Sequence, residues 1–494
     1  MIRTRICLYI LILTPLVVYW QTIFHEYGMR DDYSHLREAK EEPGKLVRFT
    51  ASMGRPLYGA LLETTFGEVA DVERLHWLRL TTVALLALLG LALWRQLYQS
   101  GWSEIEAAVI GLGVILLPAA QVTASWAICW PHVLTLLLAV AGFSAIETEL
   151  ERGGMKRLVA LLGGSLIYCL AGLIYQSDAM FAVVPIAAVL LLRTGREPSS
   201  DKKWSLIHLG TLVAGMGVSY LLVRMMFANG VFHASPRMAL ETNPLSKLVW
   251  FFWQPLPNAL ALYALRDDFN AGMVIFWASV VIVAGVIWFG YKAAAAKAGA
   301  PAKKKWLLCI LAVPFLAHAV SLVAAERSTA YRTLFALSGL VLVLLVYALR
   351  TLRLEERIKL PVYYAGLAFI IIIAGITANR NAFTLIAEPQ GYEWEMVHNA
   401  VMRTDFKAET KVYLITPQLE DRSTRQIFGD EFGSLSTDSD WVPKEIFKVA
   451  IRDRFGGKMP KGTGYTFKSG RDVPAAKAYD LVIDLRKLKN MRVP

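Results

Sequence analysis

Cysteine is scarce in this chain. Its four cysteines, Cys7, Cys129, Cys169 and Cys309, all fall inside apolar runs and have no metal-ligand spacing, which argues against both a disulfide framework and a zinc site. They read as small apolar side chains. Charged residues are also few, at 19% of the sequence. The chain has no phosphate-cradling glycine loop, no Gly-x-Ser-x-Gly elbow and no His-Glu-x-x-His, so soluble nucleotide or zinc mechanisms of those kinds have no support. No tandem repeat is visible. The one low-complexity patch is the alanine-rich stretch from Lys292 to Lys305.

What the chain has in excess is apolar surface. At 494 residues, 55% hydrophobic and with a mean hydropathy of +0.43, it holds more than a globular core needs. Most of it must face lipid. The formal charge of +12 could suggest nucleic acid, but the basic residues cluster in short segments between apolar runs, where they orient a membrane protein and meet anionic headgroups. Nucleic acid is therefore not an expected partner, and membrane lipids are.

Apolar stretches of bilayer length lie near residues 6–24, 75–94, 105–121, 126–146, 158–175, 179–193, 204–227, 271–290, 306–324, 331–349 and 361–378. The first has Arg3 and Arg5 before it and no small-residue cleavage site, and reads as a retained signal anchor. The third and fourth runs, and the fifth and sixth, are so close that they must form tight hairpins, with Pro118, Pro131 and Pro185 shaping the ends. With the N-terminus inside, every inner segment is basic, including Arg95, Arg152-Lys156-Arg157, Arg193-Arg196-Lys202-Lys203, Lys303-Lys304-Lys305 and Arg350-Arg353-Arg357-Lys359. The short outer connections near 122–125 and 176–178 carry neither lysine nor arginine, as the positive-inside rule requires.

The reading is a polytopic α-helical membrane protein of about eleven spans, N-terminus inside and C-terminus outside. Residues 1–378 form the transmembrane module, with outer loops 25–74 and 228–270. In the first loop, Phe49, Met53, Leu57, Ala60, Leu61 and Thr64 predict one or two interfacial helices, kinked or restarted at Pro56. The second, with Trp250-Phe-Phe-Trp253-Gln-Pro255, suits the headgroup layer. Residues 379–494 form a small soluble extracytoplasmic α/β domain. Strands are predicted at Lys411–Thr416 and Tyr479–Asp484, and helices near 390–404 and 443–455.

Charge at membrane depth is costly and usually faces a cavity or a partner. Asp31 and Asp32 follow the first span, and a carboxylate there can accept the proton of an attacking sugar hydroxyl. The same Asp-Asp-Tyr-Ser run is also a good helix start. Arg55, in Gly54-Arg55-Pro56-Leu57-Tyr58, can grip a phosphate by paired hydrogen bonds, or neutralise headgroups, or pair with Glu63. Glu326, Arg327, Tyr331 and Arg332 crowd the turn between the ninth and tenth runs and read either as phosphate ligands or as an ion pair beside a snorkelling arginine. Trp130, His132, Gln176 and Asp178, with Trp126 and His318, can stack on or hydrogen-bond a sugar. A tryptophan at this depth is equally an interfacial anchor, and a lone histidine a structural one.

With these motifs in place the chain resembles the GT-C superfamily of polyprenyl-phosphate-sugar-dependent glycosyltransferases. The pairing of Asp31-Asp32-Tyr33 with Gly54-Arg55-Pro56-Leu57-Tyr58 and the later Glu326-Arg327 and Tyr331-Arg332 turn most resembles bacterial O-antigen glucosyltransferases. The resemblance implies inverting transfer of a sugar from undecaprenyl phosphate to a lipopolysaccharide or other cell-envelope glycan acceptor, on the periplasmic face of the bacterial inner membrane. It gives Asp31 or Asp32 the role of base, and Arg55, Arg327 and Arg332 the donor phosphate. Tyr33, Tyr58, Trp130, His132, Gln176, Asp178, Glu326 and Tyr331 would contact substrate. No metal ligand is assigned, and paired acids allow Mg or Mn without demanding either. Two other readings stay open: a transporter or flippase for a lipid-linked or anionic substrate, and a non-catalytic scaffold whose tail binds an envelope protein.

Overall fold

The computed structural model describes residues 2–150, 154–193, 198–268, 272–297, 299–328, 330–424, 427 and 431–491. Arg152, Arg196 and Thr329 of the segments above lie outside the described residues. Long apolar runs become helices because hydrocarbon offers the backbone no hydrogen-bond partner, and a helix satisfies its own. Among the described residues eight helices are long and apolar enough to cross a membrane: Thr4–Phe24, Leu75–Gln99, Ala127–Glu149, Gly154–Ile174, Ser199–Ala228, Gly272–Ala295, Tyr331–Leu354 and Leu360–Arg403.

The remaining three apolar runs are interrupted or short. Glu104–Ile115 and Pro118–Ser125 meet at a bend of 51°, and would count as a ninth span if joined. Pro118 stands in the first turn of the second piece, where its missing N–H and fixed φ restart a helix in a new direction. Gln176–Leu192 is a shorter apolar helix. The run expected at 306–324 breaks into the end of Gly299–Leu311, then Val313–Ala317 and Ala319–Val323, with Pro314 opening the middle piece.

The segment between the first two long apolar helices, expected as an outer loop, folds into three helices, Asp31–Glu41, Lys45–Ser52 and Pro56–Val69. Pro56 starts the third, so the predicted apolar face from Phe49 to Thr64 is split between two elements. In the second loop, Pro244–Trp253 is helical.

The tail is not set off by a break. Leu360–Ala382 continues through a π-helical turn, Phe383–Ala387, into Glu388–Arg403. At 1.5 Å per residue those 44 residues make a rod of about 66 Å, roughly twice the hydrocarbon thickness. Beyond it come β1 (Thr410–Ile415), the helix Val442–Phe455, β2 (Tyr465–Gly470) and β3 (Leu481–Asp484). The strands form a parallel sheet in the order β2-β1-β3, with Val412 opposite both Phe467 and Leu481. The two predicted strands appear as β1 and β3, each within two residues of its expected start. β2 was not expected, since its sequence Tyr-Thr-Phe-Lys-Ser-Gly is short and glycine-ended.

Contacts with the first outer loop tie the tail to the membrane module. Arg37 Nε donates to Glu445 Oε2 at 2.9 Å and Arg452 Nη1 to the Leu36 carbonyl at 2.6 Å. Trp394 stacks on Tyr33 at 5.9 Å and donates to Glu26 at 2.9 Å.

Candidate functional site

The two aspartates have different surroundings. Asp32 is fully buried, and both of its oxygens accept backbone amides: Oδ2 from Met29 at 2.9 Å and Oδ1 from Ile128 at 3.1 Å. Burial lifts its carboxyl to about 7, against the pull of those amides and of the Arg79 guanidinium. Asp31 opens the helix Asp31–Glu41 and is partly exposed. Among the described residues no hydrogen bond or ion pair engages its carboxylate. The helix does start at Asp31, but its N-cap is Arg30 with no side-chain cap; Asp32 instead reaches back to the Met29 amide, and Asp31 is the acid left with an open face.

The loop before them is held by a residue the sequence reading passed over. Arg79, inside the second span and fully buried, donates to the carbonyls of Ile23 at 3.2 Å, His25 at 2.7 Å and Tyr27 at 3.0 Å. An arginine in the run Leu78-Arg79-Leu80 was itself the signal. Tyr27 adds a hydrogen bond from its hydroxyl to the Ser125 carbonyl at 2.6 Å.

Everything in this region converges on Trp126–Trp130. Asp32 caps the Ile128 amide, and the Tyr58 hydroxyl donates to the Ile128 carbonyl at 2.9 Å. Trp126 has the Arg30 guanidinium 6.0 Å and the Arg332 guanidinium 4.9 Å from its ring centre. The acid-bearing segment and the later arginine turn, three hundred residues apart in the chain, therefore meet across one indole. Arg30 adopts φ +44°, ψ −104°, a conformation that costs on the order of 1–3 kcal/mol for a residue with a Cβ. The tail holds it there: its amide donates to Ser436 Oγ and its Nη2 to Ser434 Oγ, both at 2.8 Å. Glu431 of the tail pairs with Arg332.

Beside this meeting point lies a cavity of about 400 Å³. Its lining includes the polar Arg55, Gln176, Arg237, Glu326 and Arg332 and the apolar Met216, Val223, Leu240 and Val320 with Tyr220. Arg55 lies 4.0 Å over the Tyr175 ring and its Nε donates to Gln176 Oε1 at 3.4 Å. Gln176 in turn donates to the Gly54 carbonyl at 2.5 Å. Gly54 has φ +78°, and a Cβ there would meet Met238 at 3.1 Å, so a left-handed turn and a close approach both favour glycine. Glu63 does not pair with Arg55; it accepts the Gly44 amide at 2.5 Å and the Val47 amide at 3.4 Å.

The other expected contacts stand behind the cavity wall. His132 and Asp178 form a buried pair, Nδ1 to Oδ2 at 2.7 Å, and His132 packs at a tilt against Tyr175 at 4.0 Å and edge-on against Tyr58 at 5.6 Å. They back the tyrosine on which Arg55 lies. Trp130 is buried and donates to Thr65 at 3.3 Å. Tyr33 accepts the Gly28 amide at 3.3 Å, and Tyr331 accepts the Arg266 amide at 2.9 Å. These six residues do not line the cavity. Neither do the two aspartates. Arg327 also points elsewhere, towards Glu241 at 3.3 Å.

Two basic groups here were not foreseen, Arg237 in the cavity wall and Lys247 behind it. Arg237 lies on the strap from Ser235 to Glu241, which is fastened across the cavity by Ser235 N to Ser52 O at 2.8 Å, Ala325 N to Ala239 O at 2.9 Å and Glu241 N to Val323 O at 2.9 Å. Lys247 is buried and donates to the carbonyls of Ala324 at 2.7 Å and Glu326 at 2.8 Å; burial pushes its amine below the usual lysine range. An arginine after proline and a lysine in an apolar helix were the only signals in the sequence. Among the described residues no group of three or more His, Cys, Asp or Glu side chains is placed to hold a metal ion. No family model matches the chain, and no curated protein matches it.

Proposed function

We propose that the chain is a membrane glycosyltransferase of GT-C type, moving a sugar from a polyprenyl-phosphate donor to a cell-envelope glycan on the periplasmic face of the inner membrane. The observation that carries this reading is a cavity lined by three arginines and by apolar side chains, one of whose arginines, Arg332, shares the Trp126 ring with Arg30 of the Asp31 segment. A phosphodiester with a long hydrocarbon tail has the same division of polarity. Arg55, Arg237 and Arg332 hold the phosphate, and the leaving oxygen's growing negative charge is met by groups already in position.

In the reaction the acceptor hydroxyl oxygen bonds to the anomeric carbon as the bond from that carbon to the phosphate oxygen breaks. The phosphate leaves with the electron pair, and Asp31 takes the hydroxyl proton. Asp32, with both oxygens engaged, positions the helix that carries Asp31. Membranes containing the full chain, given a radiolabelled polyprenyl-phosphate sugar and envelope glycan, should transfer label. Asp31→Asn should lower transfer by at least about a hundredfold with donor retention intact. Undiminished transfer by that variant discards the assignment of the base.

The transporter reading draws on one observation, the interrupted spans at Glu104–Ser125 and 299–323, since broken helices are common in transporters. Movement of a fluorescent polyprenyl-phosphate sugar across vesicles carrying the pure protein, without bond formation, would favour it.

A further inference from the structure

A second, larger cavity lies at the other end of the bundle, between the helices Leu75–Gln99, Trp130–Glu149 and Gly154–Ile174, and measures about 910 Å³. Its floor is apolar and made of small side chains, Ala145, Ala160 and Gly163, continuing to Val159 and Ile167. A Cβ added at Gly163 would meet nothing within 4 Å, so the groove is open at that position. Its polar end holds Arg95 and Lys156, both exposed, and among the described residues neither makes an ion pair. Gln96, buried at the same end, accepts from Ser144 Oγ at 2.6 Å and donates to Ser100 Oγ at 3.3 Å. Glu149 also borders this end, so the site is made for a head group of low negative charge, not for a polyanion.

We infer that this groove binds one anionic phospholipid, its phosphodiester between Arg95 and Lys156 and an acyl chain along Ala145, Gly163 and Ile167. Two cations at the rim of an interhelical apolar slot are the arrangement that selects an anionic head group over a zwitterionic one. The site involves none of the residues around Trp126.

The test is native mass spectrometry of the purified full-length protein titrated with phosphatidylglycerol or phosphatidylcholine of identical chains. The wild type should retain phosphatidylglycerol in preference. Arg95→Gln with Lys156→Gln should cut that retention on the order of tenfold, to the phosphatidylcholine level. Gly163→Leu, which fills the slot, should reduce both lipids. Equal retention of the two lipids by the wild type overturns the inference. So does a charge variant that keeps its preference, or a preference abolished by Arg55→Gln with Arg237→Gln and untouched by Arg95→Gln with Lys156→Gln. Arg95, Lys156 and Arg237 are exposed and Arg55 and Gly163 half-buried, and an unaltered thermal unfolding midpoint of each variant verifies the fold.

Discussion

Asp31 and Asp32 share a side-chain type and a position near the first span, yet the fold gives them separate work. Replacing Asp32 by Asn turns one acceptor oxygen into a donor that faces either the Met29 or the Ile128 amide. An amide left unpaired in that way costs about 1–3 kcal/mol, so Asp32→Asn should unfold at lower temperature in detergent, whereas Asp31→Asn should not. The effect depends on pH. The fold lifts Asp32 to about 7, above an ordinary value of 3.8. A folded state that keeps its proton to higher pH is favoured by acid, so this contribution is present below about pH 4 and is lost as pH rises through about 7. The melting advantage of the wild type over Asp32→Asn should therefore shrink between about pH 5 and about pH 8. Arg79 is a second test at this scale. Arg79→Met keeps most of the volume but strands three carbonyls, and should cost several kcal/mol, on the order of 3–5, read as loss of folded protein in membranes.

At the scale of elements, the helix Asp31–Glu41 sits between the bundle and the tail. Arg37 and Glu445 are each 12% exposed and 2.9 Å apart, so the pair is shielded enough to matter. A double-mutant cycle on Arg37→Ala and Glu445→Ala should give a coupling of about 1 kcal/mol; additive effects would mean that the two elements are not energetically joined. The eight long apolar helices were legible in the sequence because twenty apolar residues in a row have one outcome in hydrocarbon, whereas three of the eleven expected spans are interrupted or short. The breaks were less so. Pro118 was identified as shaping an end, and it does. Pro314, inside a run of ordinary hydropathy, gave no sign that 306–324 would fragment. β2 was invisible because six residues ending in glycine have no period to read.

For the molecule as a whole, the tail is structurally part of the site. It supplies Glu431 to Arg332, Ser434 and Ser436 to Arg30, and Trp394 to Tyr33. The chain ended after Ala382 should lose transfer activity, and residues 388–491 added separately should not restore it; recovery in trans would mark the tail as an independent module. This long-range assembly explains what sequence reading missed at the site. Arg55, Gln176, Glu326 and Arg332 were recognised from charge near span ends, and they do share a cavity. That Asp32 is spent on the Ile128 amide, 96 residues away, has no local signature. Nor has the retreat of His132, Asp178 and Tyr58 behind Tyr175, since a polar residue in an apolar run looks the same whether it faces ligand or neighbour.

Trp126, with two guanidinium groups close to its ring, has one more use. The emission of an indole depends on the charge against its face, so subtracting the spectrum of Trp126→Phe from that of the wild type isolates a built-in optical gauge. A phosphate that draws Arg332 away should shift that difference signal as it saturates, which would let occupancy be followed in real time without any label.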